Sequence, residues 1–135
     1  MLSDEGRRRD PSRAVAAAGA DHVRLFYDYL DMGDIDGCGS LFDDAAYLSW
    51  PQVTTGRGRS EVIGVHVKLA GPPTRHEALR IFASGDTVAA TGWFVQPGRG
   101  SPGEACAVEF ADFFTVSGDG LLLTHRRYYF VAPPC

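Results

Sequence analysis

The chain is poor in the features that announce a function on sight. It has only three cysteines, Cys38, Cys106 and Cys135, at spacings that match no zinc or redox motif. They read as thiols of a cytoplasmic protein, with Cys135 open to adventitious cross-linking. Thirteen basic side chains against seventeen acidic ones leave a net charge of −4 at pH 7, so there is no electrostatic footprint for nucleic acid. The one basic run, Arg7-Arg8-Arg9, is flanked by Asp4, Glu5 and Asp10. The alanine-rich stretch 14–20 is too short and too weakly apolar for a membrane span, and it is not read as part of a secretory signal. His22, His66, His76 and His125 show no paired ligand spacing, so no metal is expected. Gly98-Arg-Gly100 does not open a helix, so it is no phosphate loop. No repeat, second domain or cofactor motif is found.

What the sequence does contain is a hairpin over 104–131 with charge on its apolar side. On its first strand the even positions read Cys106, Val108, Phe110, Asp112, Phe114 and Val116, a period-two alternation with one carboxylate on the apolar face. Ser117-Gly-Asp-Gly120 is a turn signal. If Val116 pairs with Leu121, Asp112 opposes His125, and Arg127 lies diagonal to it on the same face. An acid, an imidazole and a guanidinium then converge on an apolar surface, where charges need partners. Two readings stand: a functional cluster, or a structural ion pair half in the core. A one-residue slip in register would send His125 to solvent.

The remaining elements follow from periodicity. Residues 1–12 read as a flexible tail ending in the helix-entry signature Asp10-Pro11-Ser12. A first helix then runs to about Met32, with Val23, Phe26, Tyr27 and Leu30 on one face. Asp34 caps a short second helix. A first strand over 45–50 stops at Pro51, and 52–59 reads as a loop. A third helix starts at Ser60 and puts Val62, Ile63, His66 and Leu69 on one face. Strands over 76–83 and 87–95 follow. In a register with positions summing to 170, His76 opposes Phe94, while Ala78 and Arg80 face Gly92 and Ala90. The segment 96–103 is a flexible loop and candidate lid. Residues 13–131 form the single domain, and 132–135 a C-terminal tail. Helices segregated from antiparallel strands mean an α+β fold: three N-terminal helices on one curved, mixed, mostly antiparallel sheet that encloses a pocket.

This order, with these residues, resembles the SnoaL-like and ketosteroid-isomerase-like proteins of the nuclear-transport-factor-like superfamily. Gly33-Asp-Ile-Asp-Gly37 followed by Leu41-Phe-Asp-Asp-Ala-Ala46 is similar to the family's G-D-x-D segment. Gly56-Arg-Gly-Arg-Ser60 is similar to its entry to the third helix, and Phe110-Ala-Asp-Phe-Phe114 with His125-Arg-Arg-Tyr-Tyr129 to its final hairpin. The resemblance spans residues 13–131. Ketosteroid isomerases place a carboxylate base just before the proline that ends the first strand, where this chain has Trp50. They place an oxyanion-binding tyrosine on the first helix, at a position matching Phe26, with Tyr27 and Tyr29 expected on different faces. They place a neutral aspartic acid on the penultimate strand, matching Asp112. With two of three positions changed, the resemblance does not imply that reaction.

It implies instead a cofactor-independent cyclase or isomerase acting on a hydrophobic polycyclic or polyketide-type intermediate. Asp112 is then the base, His125 orients it or shuttles the proton, and Arg127 holds it ionised or binds an enolate oxygen. Trp50 and Tyr129 stack on the substrate, and Phe26, Phe110, Phe114, His66, His76 and Phe94 complete the pocket. Epoxide opening is an alternative, but it needs a second inward acid, and Glu109 points the other way. Non-catalytic binding of a hydrophobic small molecule is another. Both faces of the central strands look apolar, so a homodimer is expected, with no nucleic-acid or membrane partner.

Overall fold

The structure, a computed structural model, describes residues 2–51, 53–97 and 105–130, with side chains from residue 13 onward except at 105. The lid candidate at 96–103, beyond Pro97, and the tail 132–135 lie outside the described residues. The first helix, α1, spans Leu2–Met32 and so begins well ahead of the expected entry at Ser12. Its stripe of Val23, Phe26, Tyr27 and Leu30 is buried almost completely. Gly33, at φ +79°, ends it. The Gly33 N–H bonds to the Leu30 carbonyl and the Asp34 N–H to that of Tyr29, a paired helix stop that needs a left-handed residue. Asp34 then caps α2 (Ile35–Ser40), its carboxylate accepting from Gly37 N at 2.8 Å.

Strands β1 (Phe42–Trp50) and β2 (Thr54–Arg57) form a hairpin around Pro51. The loop expected over 52–59 thus contains a strand, too short and too rich in threonine and glycine to show alternation. Helix α3 (Arg59–Ala70) follows, with Val62, Ile63, His66 and Ala70 buried. Strands β3 (Arg75–Ser84), β4 (Thr87–Pro97), β5 (Ala105–Val116) and β6 (Leu122–Tyr129) complete one sheet of order β2-β1-β6-β5-β4-β3. All neighbours are antiparallel except β1 and β6, which run parallel. The helices cover one face of this sheet. Side chains fill the space between: Phe26, Phe42, Trp50, Phe94, Phe110 and Phe114 all have at most 2% of their surface exposed.

Two registers differ from expectation. Ser117 N bonds to the Leu121 carbonyl, so Leu121 belongs to the turn and Val116 pairs with Leu122. A further irregularity leaves Leu123 unpaired, and Thr115 meets Thr124. The two shifts add, so Asp112 pairs with Arg127 and His125 with Phe114. On β3, His76 does oppose Phe94, but a bulge follows Glu77 and Ala78 takes φ +54°. Arg80 therefore meets Thr91, and Ile81 meets Ala90. Cys38 is buried and free, whereas Cys106 is disulfide-bonded. The all-thiol reading fails at Cys106, and with it the argument from cysteine chemistry to a reducing compartment. No described helix is long and apolar enough to cross a membrane.

The turn that sets the critical register tests the fold. Gly120 sits at φ +81°, and a Cβ there would lie 2.9 Å from Ala18 Cβ, whereas one on Gly118 would meet nothing within 4 Å. Gly120→Ala is expected to cost about 1–2 kcal/mol from the left-handed backbone alone. Gly118→Ala should be near neutral, and thermal melts that rank the two equally would contradict the assignment.

Candidate functional site

Asp112 sits at the middle of a fully buried polar network. The alternation of β5 points it toward the helices between Phe110 and Phe114, and pairing with β6 sets Arg127 opposite. Arg127 grips it with both arms of the guanidinium: Nε donates to Oδ1 and Nη2 to Oδ2, each at 2.8 Å. Tyr27 Oη donates to Oδ2 at 2.5 Å. His125 Nε2 lies 2.9 Å from Oδ1. Burial alone would push the Asp112 carboxyl up, but Arg127 and His125 outweigh it and hold the group well below the usual carboxylate range. Asp112 in turn overcomes the burial of Arg127 and keeps it charged. Burial and the neighbouring carboxylate keep the Tyr27 hydroxyl protonated.

The network extends in two directions. On one side Arg127 Nη2 reaches His76 Nε2 at 2.9 Å, and His76 Nδ1 reaches Asp31 Oδ1 at 2.8 Å. A guanidinium can only donate, so His76 Nε2 accepts and its Nδ1–H points to Asp31. Asp31 also accepts the backbone N–H of His76 at 2.9 Å. On the other side His125 Nδ1 meets His66 Nε2 at 2.8 Å, and His66 Nδ1 meets the Val62 carbonyl at 2.9 Å. The Val62 carbonyl at one end of this chain and the Asp112 carboxylate at the other can both only accept, so each calls for a proton on the ring nitrogen that faces it. Burial, then the fields of His125 and Arg127, puts His66 well below its ordinary range. Burial also lowers His125, against the pull of Asp112, and lowers His76, against Asp31.

Two neutral imidazoles therefore supply two protons to three contacts, Val62–His66, His66–His125 and His125–Asp112, and the pair is one proton short. His125 Nε2, Arg127 Nη1 and Trp50 Nε1 are buried side-chain atoms without a hydrogen-bond partner among the described residues. The cluster thus holds a proton-short imidazole pair and two orphaned donors. Arg127 is enclosed by aromatic faces, with its guanidinium carbon 4.4 Å from the Phe110 ring centre, 5.0 Å from Trp50, 5.4 Å from Phe94 and 6.0 Å from Tyr129. The His125 ring stacks on Phe114 at 4.3 Å and on His66 at 4.9 Å.

All the residues singled out in the sequence meet here, with roles that differ in detail. Arg127, not His125, is the direct partner of Asp112. Phe26 packs against His66, Tyr27 and Phe114 and carries no donor. Tyr27, expected on another face, supplies the hydroxyl, because it shares the buried stripe with Phe26. Asp31 was missed. Its signal was an acid in the last turn of a helix, where the dipole disfavours it and no basic residue offsets it. A separate surface cleft of about 650 Å³ between α2 and α3 is lined by Ile35, Ile63, Val67, Arg59 and Lys68 among others, and by none of the expected pocket residues. Among the described residues no three His, Cys, Asp or Glu side chains are grouped to hold a metal ion.

A family model described as a SnoaL-like domain matches residues 23–125. A solved structure from Kribbella flavida, proposed to be a ketosteroid isomerase, superposes with a TM-score of 0.71 at 17% identity, covering 89% of this chain and 84% of its own. A Xanthomonas campestris protein proposed to be a polyketide cyclase gives 0.72 at 17% identity, over 85% and 92% of the two chains. An LEH-like epoxide hydrolase of M. tuberculosis gives 0.68 at 18%, over 84% of each. At such identities the likeness carries the fold and not the chemistry. Among curated proteins none matches the chain.

The three neutral histidines predict a pH profile. Each lies below its ordinary value of 6.5, so as pH falls through 6.5 the unfolded chain takes up protons that the folded one refuses. Stability should be level from about pH 8 to 7 and fall below about 6.5, by up to about 1.4 kcal/mol per pH unit for each histidine. Asp112 adds no loss there. Its contribution is complete above the ordinary value of 3.8 and goes only as pH falls through its lower folded value. Melting temperatures level down to about pH 5 would contradict the neutral relay.

Proposed function

This chain belongs to the SnoaL-like domain family, and we propose that it is an acid–base enzyme, a cyclase or isomerase, acting with its own side chains on a hydrophobic polycyclic or polyketide-type intermediate. The proton-short pair of His66 and His125, ending 2.9 Å from ionised Asp112, carries this reading. A general base has to be unprotonated at the working pH, and burial keeps His125 so. The proton it accepts is then shared with Asp112, and the resulting imidazolium–carboxylate contact has no net charge, which limits the cost of holding it in a dry interior. Asp112 itself, forked by Arg127, is too weakly basic to act alone. It is the partner that receives a protonated histidine, and His66 holds the His125 ring from the other side.

Epoxide opening is supported less well. Two acids do flank Arg127, but Asp31 reaches it only through His76. An attacking water would therefore have one carboxylate beside it, not two. A mere binder leaves the proton-short contact unused.

The test is deuterium uptake at the carbon next to the carbonyl of a bicyclic aryl ketone such as 2-tetralone, followed by NMR. His125→Gln keeps a hydrogen-bond partner for His66 but removes the basic imidazole, and should slow exchange by about 10²–10⁴-fold. Asp112→Asn should do the same, and because it strips Arg127 of its counter-charge its melt is to be recorded alongside. Undiminished exchange by folded His125→Gln sinks the reading.

The homodimer expected from the sequence is likewise a proposal. It is supported by exposed Phe82, Trp93, Phe113 and Tyr128 on the sheet face away from the helices. Phe113 and Tyr128 pack edge to face across β5 and β6. Sedimentation velocity should give twice the chain mass, and Phe113→Glu should shift it to the monomer.

A further inference from the structure

The cleft between α2 and α3 takes no part in the buried network. Its volume of about 650 Å³ is that of a small-molecule site. Ile63 and Val67 give it one apolar wall and Ile35 the other. Ile35 and Val67 are 50% and 39% exposed, so the described residues leave this apolar surface open. Gly39 and Gly64 also line the cleft, one on each helix. Neither has a positive φ, and a Cβ built on either would meet nothing within 4 Å. Neither backbone conformation nor packing among the described residues calls for glycine there, and glycine inside a helix is unfavourable. The two glycines keep the cleft wide and let an occupant approach the backbone closely.

The cleft changes character along its length. At the start of α3, Arg59 is held at two points: Nε donates to the Phe42 carbonyl at 3.1 Å, and Nη2 pairs with Asp44 Oδ1 at 2.7 Å. The Arg59 side chain is still 43% exposed and that of Asp44 88%, so the pair is well solvated and the guanidinium can meet a further anion. Toward the end of α3 the cleft adjoins a narrower crevice of about 60 Å³ that shares Ile35 and Val67 with it. Leu30, Cys38 and Pro72 line this crevice, and Asp34 at its edge is engaged in capping α2. The ionisable side chains of the cleft itself are Arg59, Lys68 and Asp36, two cations against one acid, in a chain whose net charge is −4. Along α3 the stretch from Ser60 to Gly71 is about 16 Å long at 1.5 Å per residue.

We propose that this cleft binds an amphipathic monocarboxylate, with its head on Arg59, its alkyl chain along Ile63 and Val67, and its tail in the crevice beside Leu30 and Pro72. The proposal uses no residue of the Asp112 network and stands apart from the acid–base reading. A carboxylate on a guanidinium makes a charge-assisted hydrogen bond, and covering the exposed apolar walls adds the hydrophobic contribution. A small polar anion would leave those walls bare, and an organic cation would face the excess positive charge.

Dodecanoate spans that length when extended, and calorimetric titration below its micelle concentration tests the site. Wild type should saturate below about 1 mM. Gly64→Leu fills the cleft with a good helix former, so it should melt at or above the wild-type temperature and yet bind about tenfold more weakly or worse. Arg59→Gln, its fold checked by a thermal melt, should weaken binding about tenfold, the value of a hydrogen bond to a charged group, and flatten the dependence on salt. Dodecyltrimethylammonium, with the same chain and the opposite charge, should bind less tightly than dodecanoate by about the same factor. Unchanged dodecanoate affinity in folded Gly64→Leu overturns the site. Equal binding of the two amphiphiles overturns the carboxylate assignment. Failure of wild type to saturate with dodecanoate overturns the proposal as a whole.

Discussion

The ion pair between Asp112 and Arg127 is the constraint on which the rest of the molecule turns. Both groups are fully inside, and each alone would be intolerable there, since a buried unpaired charge costs several kcal/mol even after relaxation. Two parallel hydrogen bonds of 2.8 Å make the pair tolerable, but only in one register of β5 on β6. The turn at Gly120 and the irregularity at Leu123 deliver that register. The ion pair also dictates its surroundings. The Asp112 oxygens need further donors, which Tyr27 supplies from α1. The guanidinium faces need something flat and polarisable, which Trp50, Phe94, Phe110 and Tyr129 supply from four strands. The helices are thus held to the sheet by polar satisfaction as well as by apolar burial.

The same pair sets the electrostatics of all three histidines. Arg127 pushes each of them toward the neutral form in addition to the effect of burial, and Asp112 opposes it most strongly at His125, its immediate neighbour. Neutrality then fixes tautomers. Because the Arg127 guanidinium can only donate, the proton position on His76 follows from its partners. On the other side the Val62 carbonyl and the Asp112 carboxylate, acceptors both, compete across two rings for the protons of His66 and His125.

Much of this was legible in the sequence because side-chain parity along a strand survives errors in register. Asp112, His125 and Arg127 were assigned to one face with a hairpin two residues out of step, and an even shift leaves faces unchanged. What parity could not convey was which of His125 and Arg127 stands opposite Asp112, since that depends on a five-residue turn and one unpaired leucine. On β3 the single extra residue at Ala78 had the opposite effect and moved Arg80 off its expected partner. Tyr27 was placed on the buried stripe by helical spacing, yet the functional position was sought at Phe26, one residue away. A residue step of about 100° on a helix is not large enough to separate two side chains that share a broad buried face. Asp31 lies in a segment whose polar character looks like ordinary solvent exposure, and only its tertiary partner, His76, gives it meaning.

Trp50 shows how far one fold can be turned to different chemistry. The ketosteroid isomerases that this chain resembles keep an acceptor at the end of the first strand and donors on the helix and the penultimate strand. An indole at that first position has a single N–H and no acceptor, so it cannot do the work of a carboxylate. The acceptor here is on the opposite side, at His125 and Asp112, and Tyr27 donates inward to the acid and not outward to a ligand. On the acid–base reading donor and acceptor have exchanged places across the cluster: an indole N–H stands where those enzymes keep a base, and the basic imidazole stands on the final hairpin beside an acid that Arg127 has denied its proton.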